Sequence, residues 1–338
     1  MRIKGLRFCI IVLFGVISFS GCATTPPEGP KKEIVWPSPP ETPRIKWVTQ
    51  WSNRGDFGKP NPFITFLLGE ERFEQLRRPT SVVADSSGNV YVADGELGVI
   101  FVFDQQRKGL RFLGVGNLSR PVGLAMDNKR GIVFVADSGQ DKVYGINKET
   151  GEIIMEMGKI KEMANPSGMV YDEERERLYV TDTQNHIIRV FDKDGKQIST
   201  IGKRGAEDGE FNFPSYLALD RNGRLFVADT LNFRVQIFDP DGRFLKKFGK
   251  LGDVSGTFTR PYGIGVDSEG HVYVVDSAFN NFQIFDEDGR LLLWIGRAGR
   301  REGEFFLPQG MYIDAQDRIY VADTFNRRVQ VFQYLKEH

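Results

Sequence analysis

The chain has 338 residues, and its 45 Lys and Arg side chains balance its 45 Asp and Glu side chains, so the formal net charge is zero. A nucleic-acid-binding protein usually carries a basic excess or a basic stripe, so no nucleic-acid partner is expected. The two cysteines, Cys9 and Cys22, stand near the amino terminus, which excludes a disulfide or a thiolate metal site from the rest of the chain. The 37 glycines and the 12% aromatic content are typical of many short strands joined by tight turns.

Residues 1–21 have the pattern of an export signal. A basic head that holds Arg2, Lys4 and Arg7 precedes an apolar run over residues 8–19. This run is shorter than the roughly 20 helical residues that span a bilayer. A basic head followed by a short apolar run and small residues predicts a secretory signal peptide.

The end of this segment, Phe19-Ser20-Gly21-Cys22, resembles the bacterial lipobox, although Phe19 replaces the usual leucine. The resemblance implies cleavage before Cys22, acylation of its thiol and anchoring of the exported protein to a bacterial membrane. Ala23, in place of aspartate, implies the outer membrane, facing the periplasm or the cell surface. The alternative is an ordinary signal peptide with an incidental cysteine. Residues 22–43 are rich in proline and predict an extended tether.

One phrase, an aromatic residue followed by Val, a small or branched residue and Asp, recurs six times in the rest of the chain. The six aspartates are Asp94, Asp137, Asp182, Asp229, Asp276 and Asp323. Each repeat of 43–47 residues holds four short β-rich runs, and Asp-x-x-Gly turns separate the first run from the second and the third from the fourth. Four strands repeated six times predict an all-β fold, a six-bladed β-propeller.

The sixth repeat ends after its third strand, residues 329–334, so its outer strand is missing. Residues 44–51 form an orphan strand that is similar to the outer strands of other repeats. Pairing 44–51 with 329–334 would complete the last blade and remove an exposed sheet edge. We therefore predict a propeller over residues 44–338 whose ring is closed by the two ends of the chain.

The repeats resemble the NHL-repeat family. The resemblance rests on Asp323-Thr-Phe-Asn-Arg-Arg-Val-Gln-Val-Phe332, and on Gly205-Ala-Glu-Asp-Gly-Glu-Phe211 with the Pro214 and Asp220 that follow it. The third, fourth and sixth repeats match best, whereas the first, second and fifth depart in the turn after the aspartate. The fold that is implied places the first strand of each blade along a central channel, and it places the entering loops and the turns between second and third strands on one face.

No catalytic, metal or cofactor site is expected from the sequence. The first strands of the blades contain no Glu, Asn or His, and His186 and His271 do not converge in the repeat register. The six repeated aspartates could suggest a ring of metal ligands, but short carboxylates commonly accept backbone N–H bonds within their own turns. We expect this structural role for all six.

Function should lie where the blades differ, because the repeated residues maintain the fold. The residue after each blade-opening proline is placed at the channel mouth, and these residues are Thr80, Val122, Ser167, Ser215, Tyr262 and Gln309. The candidate binding residues are Ser81, Tyr216, Arg234, Tyr262, Phe279, Gln309 and Arg328, since aromatic residues and arginine are enriched at interface hot spots. The aromatic ones are expected at the mouth, where their removal would spare the fold. Arg234 and Arg328 could instead be repeat residues that brace neighbouring blades.

The sequence therefore indicates a membrane-anchored, monomeric, non-catalytic binding scaffold for a protein, peptide or glycan partner. The alternatives are a lactonase-like hydrolase or lyase on the same fold, and a sensor domain for a small ligand.

The anchor is tested by Cys22→Ser. If the thiol carries lipid, the variant should accumulate as an unlipidated precursor and leave the membrane fraction, because a signal without its cysteine cannot be acylated. Membrane fractionation and intact-mass measurement of the amino terminus check this result. Unchanged partitioning and unchanged mass would contradict the lipobox interpretation.

Overall fold

The structure is a computed structural model that describes residues 33–57, 75–158 and 163–336. The described strands form six antiparallel sheets, five with four strands and one with five. The first strand of each sheet lies beside the first strand of the next, and the last sheet lies against the first. The predicted six-bladed β-propeller is therefore confirmed.

The described strands are, in chain order, β1 (Val35–Trp36), β2 (Ile45–Trp51), β3 (Pro79–Ala84), β4 (Val90–Asp94), β5 (Val99–Asp104), β6 (Gly109–Leu113), β7 (Pro121–Asp127), β8 (Ile132–Asp137), β9 (Lys142–Asn147), β10 (Ile153–Met157), β11 (Pro166–Asp172), β12 (Arg177–Asp182), β13 (Ile187–Asp192), β14 (Gln197–Ile201), β15 (Pro214–Leu219), β16 (Leu225–Asp229), β17 (Arg234–Phe238), β18 (Phe244–Phe248), β19 (Pro261–Val266), β20 (Val272–Asp276), β21 (Asn281–Phe285), β22 (Leu291–Ile295), β23 (Met311–Ile313), β24 (Arg318–Asp323) and β25 (Arg328–Tyr334). Short 3-10 helices cover Arg54–Phe57, Thr183–Asn185, Thr230–Asn232 and Thr324–Asn326. Blades 1 to 5 are β3–β6, β7–β10, β11–β14, β15–β18 and β19–β22, and blade 6 runs β23-β24-β25-β2-β1.

The Asp-x-x-Gly turns form because the aspartate side chain caps its own hairpin. In blade 4, Asp220 Oδ1 accepts the backbone N–H groups of Asn222 at 2.9 Å and Arg224 at 2.8 Å. Gly223 adopts a φ of +76°, which costs glycine little. The turn thus connects the inner strand to the second strand with the N–H groups of Asn222 and Arg224 bonded to the aspartate.

The core lies between neighbouring blades. The aromatic residue that opens each repeated phrase is at most 2% exposed in every blade, namely Tyr91, Phe134, Tyr179, Phe226, Tyr273 and Tyr320. Between blades 4 and 5, Phe226 joins a buried cluster with Phe248, Phe258 and Phe285. Burying such a side chain contributes roughly 1.5–3 kcal/mol, so sheet-to-sheet packing holds adjacent blades together.

The two ends of the chain share blade 6, as the sequence predicts. In the β2–β25 pair, Ile45 lies opposite Tyr334 and Trp51 lies opposite Val329. The indole N–H of Trp47 donates to Gln330 Oε1 at 3.1 Å. The strand β1 adds a fifth, outermost strand from within the proline-rich segment, and its Trp36 ring packs 5.8 Å from that of Phe332.

The signal peptide and Cys22 lie outside the described residues, so the predicted export and lipid anchor stay predictions. Within the described ranges, no helix has the length and apolar character needed to cross a membrane.

Ring closure gives a stability prediction. Removing residues 33–51 should expose the edge of β25 and lose the burial of Ile45, Trp36, Trp47 and Trp51. Each such side chain is worth roughly 1.5–3 kcal/mol, so the loss approaches the whole stability of a domain, about 5–15 kcal/mol. Thermal unfolding of the signal-free protein measures it.

The matched control removes residues 23–32, which precede both strands and are expected to be extended. This deletion should leave the melting temperature unchanged. Equal melting temperatures for the two deletions would contradict the closure.

Candidate binding site at the channel mouth

A buried aspartate at the end of each second strand holds two loops together at one end of the ring. In blade 1, Asp94 Oδ2 accepts the backbone N–H groups of Arg77 at 2.6 Å and Arg78 at 3.0 Å, from the entering loop. Its Oδ1 accepts those of Glu96 at 3.1 Å and Leu97 at 3.0 Å, from the turn between the second and third strands. The corresponding aspartates, Asp94, Asp137, Asp182, Asp229, Asp276 and Asp323, are all 0% exposed, and each accepts an N–H from its entering loop. The predicted role, accepting backbone N–H groups of the aspartate's own turn, is confirmed in blades 1, 2 and 5. In blades 3, 4 and 6 the turn instead supplies an asparagine side-chain donor.

The blades supply hydrogen-bond donors to the carboxylate of this aspartate in two ways. In blades 1, 2 and 5 the residue before the proline donates its own N–H to the aspartate, and these residues are Arg78, Arg120 and Arg260. In blades 3, 4 and 6 that residue adopts a left-handed φ of 48–56° instead, and these residues are Asn165, Phe213 and Leu307. There, arginine and asparagine side chains complete the shell of the aspartate, as Arg234 and Asn232 do around Asp229. The two classes coincide with the repeats that depart from the NHL pattern and those that match it.

The entering loops and turns surround a concave site of about 550 Å³, which we call the mouth depression. The six residues after the blade-opening prolines all line it, as their placement predicts, and they are Thr80, Val122, Ser167, Ser215, Tyr262 and Gln309. Arg78, Arg120 and Arg260 also line it. No Asp or Glu of the described ranges is part of its lining.

Hydroxyl groups around the mouth depression join blade 3 to blade 4 and blade 4 to blade 5. Thr230 Oγ1 donates to the carbonyl oxygen of Pro261 at 2.8 Å, and Thr183 Oγ1 donates to that of Pro214 at 2.9 Å. Because the hydroxyl protons bind these carbonyls, the hydroxyl oxygens keep acceptor capacity. The lining therefore offers uncharged acceptors together with cationic donors.

Tyr216 forms the floor of the mouth depression. Its side chain starts in β15 of blade 4 and crosses the channel, where its hydroxyl lies 2.7 Å from the carbonyl oxygen of Thr80 and 3.1 Å from that of Val122. The residue is 7% exposed, and burial raises the pKa of its hydroxyl well above the usual range. On its other side lies a cavity of about 180 Å³ whose walls combine apolar residues such as Met169 and Val266 with polar ones such as Asn128.

Tyr216 is therefore a buried bridge that also lines the site, and we now expect its removal to affect the fold. Other blades have glycine at this position, and a Cβ on Gly310 would lie 2.5 Å from the carbonyl oxygen of Thr80. At β15 a full tyrosine replaces the glycine and bridges to the opposite side of the ring. Ser81, the second exception, is also buried, and its Oγ accepts the N–H of Leu124 at 3.1 Å.

Arg234 and Arg328 do not reach the mouth depression, which corrects their assignment as binding candidates. Arg234 Nε donates to Asp229 Oδ2 at 2.8 Å, and its other nitrogens donate to carbonyl oxygens of Ala206, Glu207 and Glu210. Arg328 repeats this arrangement around Asp323 in blade 6. Both are buried and join a blade to its own entering loop, so they are structural repeat residues, but they do not brace neighbouring blades as the alternative interpretation held.

Of the remaining candidates, Tyr262 and Gln309 line the mouth depression and are half-buried, whereas Phe279 is half-buried but not part of the lining. Sequence reasoning missed Arg78, Arg120 and Arg260. The signal that could have found them is their shared position directly before a blade-opening proline.

The two histidines stand apart, as expected. His186 Nδ1 accepts the N–H of Phe213 at 3.1 Å, and burial lowers its pKa. His271 Nδ1 lies 2.8 Å from Asp267 Oδ2, and this hydrogen bond raises its pKa. Among the described residues, no group of three or more His, Cys, Asp or Glu side chains is arranged to hold a metal ion.

The floor is tested by Tyr216→Phe. This change keeps the aromatic ring but removes the hydroxyl that bonds to backbone carbonyls of blades 1 and 2 across the channel. We therefore expect a loss of about 1–2 kcal/mol in the free energy of unfolding. Urea unfolding measures it. Tyr262→Phe is the matched control and should change stability little, because the hydroxyl of Tyr262 has no hydrogen bond in the described part of the structure. Equal stability of the two variants would refute the bridging role.

Comparison with known families finds the same architecture. A family model described as "SMP-30/Gluconolactonase/LRE-like region" matches residues 154–249, and one described as "6-bladed beta-propeller" matches residues 266–336. The human protein "NHL repeat-containing protein 2" is 30% identical over 103 residues, which are 26% of this chain and 14% of the human protein. The chain thus spans about a seventh of the length of this relative.

Solved structures extend the likeness to most of the propeller. An auxiliary nutrient binding protein from Bacteroides thetaiotaomicron superposes with a TM-score of 0.61 at 13% identity, covering 78% of this chain and 70% of that one. Virginiamycin B lyase from Staphylococcus aureus superposes with a TM-score of 0.58 at 14% identity, covering 86% of this chain and 100% of the lyase. At such low identity these likenesses show the fold alone. The chain therefore carries a six-bladed β-propeller with an SMP-30/gluconolactonase- and NHL-like region.

Proposed function

We propose that the chain is a non-catalytic binding scaffold whose mouth depression captures a protein, peptide or glycan partner. The observation that carries the proposal is the convergence of residues from all six blades on one concave site of about 550 Å³ with a closed floor. Binding sites are typically concave and few per protein, with a small number of placed polar groups. The residues that differ between the blades meet at this site.

The rim supplies apolar contact area beside the polar lining. Leu231 and Phe213 border the mouth depression and are 45% and 36% exposed. Tyr262 lies deeper and packs against Tyr216, with ring centroids 6.3 Å apart. A half-buried tyrosine held by a rigid floor is suited to act as an anchor for a partner, since it loses little conformational freedom on binding.

A lipid on Cys22 would hold this scaffold at the outer membrane by the proline-rich tether. The described sheet begins at Val35, so a mature chain cut before Cys22 would have 12 residues between the anchor and the first strand. An extended chain rises at most roughly 3.3–3.6 Å per residue, so the start of the first strand would stay within about 45 Å of the lipid. An anchored propeller would therefore act on partners close to the membrane surface.

A propeller hydrolase or lyase is the second candidate, and the family match over residues 154–249 favours it. The auxiliary nutrient binding protein, by its name, is a precedent for binding on this fold. Assays of lactone hydrolysis, with and without a chelator, separate the two functions. Metal-dependent turnover would replace the binding proposal with the enzymatic one.

The binding proposal is tested with Tyr262→Ala/Gln309→Ala. Pull-down from the membranes of the source organism should recover a partner with the parent protein and lose it with this variant. Truncating an anchor residue typically costs about 2 kcal/mol or more, which is roughly a thirtyfold loss of affinity. The matched control is Ile198→Ala/Leu245→Ala, which changes two exposed residues on outer strands.

The control should bind as the parent protein does, and circular dichroism should show that both variants are folded. Full capture by the folded Tyr262→Ala/Gln309→Ala variant would overturn the proposal.

A further inference from the structure

Three arginines with no carboxylate partner in the described structure lie around the mouth depression. Arg78, Arg120 and Arg260 are exposed, and all three line the same site. Arg120 Nε donates to Ser138 Oγ at 2.9 Å, and the guanidinium of Arg78 lies 5.8 Å from the ring centre of Phe325. These contacts orient two of the side chains, and neither contact pairs a guanidinium with a carboxylate of the described residues.

Elsewhere in the blades, arginines at repeat positions are paired. Arg224, Arg234 and Arg318 each approach the carboxylate of an aspartate within 2.8 Å. On the mouth face, the carboxylates of the turns, Glu96 and Asp141, are not part of the lining, and Asp141 accepts the N–H of Asn165 at 2.7 Å. In a chain with zero net charge, this concentrates positive charge in one concave site.

The positions of the three arginines are fixed by the fold. The backbone N–H of each one binds the buried aspartate of its blade, Asp94, Asp137 or Asp276. Each arginine therefore starts from a rigid point one residue before the inner strand. Guanidinium groups bind carboxylates and phosphates with paired N–H donors, and a preorganised group loses less entropy when it does so.

We propose that the mouth depression binds an anionic group, a carboxylate or a phosphate, between Arg78, Arg120 and Arg260. The inference rests on the proposed binding function and specifies the chemistry of the ligand. The anionic group sits above Tyr216, and the uncharged part of the ligand contacts the hydroxyl oxygens and Tyr262. A site of about 550 Å³ accommodates a small anionic molecule or one acidic unit of a larger chain.

The test uses citrate and inorganic phosphate as probes, with neutral glycerol as the uncharged control, in calorimetric titrations of the signal-free protein. The parent protein should bind at least one anion and not glycerol, and the affinity should fall as sodium chloride is raised, because salt screens the attraction. Arg78→Gln/Arg260→Gln should weaken anion binding by about tenfold or more, the equivalent of at least one lost charge-assisted contact. Binding of citrate but not phosphate would assign the site to carboxylates, and the reverse would assign it to phosphates.

The matched control, Arg221→Gln/Arg300→Gln, removes two exposed arginines that do not line the mouth depression and should bind the anions as the parent does. No binding of either anion, or equal binding by the two double variants, would overturn the anionic assignment. The broader function is judged separately by partner capture. One outcome is a partner that is lost with Tyr262→Ala/Gln309→Ala but retained with Arg78→Gln/Arg260→Gln. That result would support the proposed binding function and contradict the proposal that the ligand is anionic.

Discussion

A buried carboxylate at the end of each second strand is the interaction on which the mouth of this propeller depends. A charged group without water is costly unless hydrogen bonds surround it, and each aspartate meets this need with donors from two loops. Around Asp94 all four donors described above are backbone N–H groups, whereas Asp229 combines a backbone N–H with side-chain donors from Asn232 and Arg234. Burial raises the pKa of Asp229 in spite of these donors. Loops on a protein surface are ordinarily the mobile part of a fold. Here the entering loop of each blade and the turn between its second and third strands are joined through the carboxylate of one buried aspartate.

The position of the arginine side chains differs with the type of donor that binds the buried aspartate of each blade. In blades 4 and 6, Arg234 and Arg328 point inward to the aspartate and to loop carbonyls, so they stabilise the blade and are buried. In blades 1, 2 and 5 the backbone supplies the donors, and the arginine before the proline is left at the mouth. The repeats that depart from the family pattern are thus the ones that place an arginine side chain at the mouth depression. The surface of the mouth depression therefore differs between blades where the repeats depart from the family pattern.

The sequence predicts the architecture because each repeat contains the turn and strand residues of its own blade. The turn aspartates and the buried aromatic residues fix strand bounds locally, and the unpaired strand at residues 44–51 has one free partner, β25. The strand β1 was not predicted, since two residues among prolines carry no periodicity. At the mouth, the register placed Tyr262 and Gln309 correctly, because it gives the height of a residue along the channel. It could not give the direction or reach of a side chain, so it did not show that Arg234 and Arg328 turn inward or that Tyr216 crosses the channel.

Tyr216 gives the channel its asymmetry. A ring of six inner strands with small residues at the narrowest level would leave a passage between the two faces, but here one side chain bonds to carbonyl oxygens of blades 1 and 2 from blade 4. The mouth depression above it and the smaller cavity below it are consequently separated by this side chain. Charges that face a protein floor interact more strongly than charges in open water, because the effective dielectric constant is lower. If the three arginines hold a ligand as proposed, the Tyr216 bridge would therefore also strengthen their attraction for it, because the bridge forms the floor of the site.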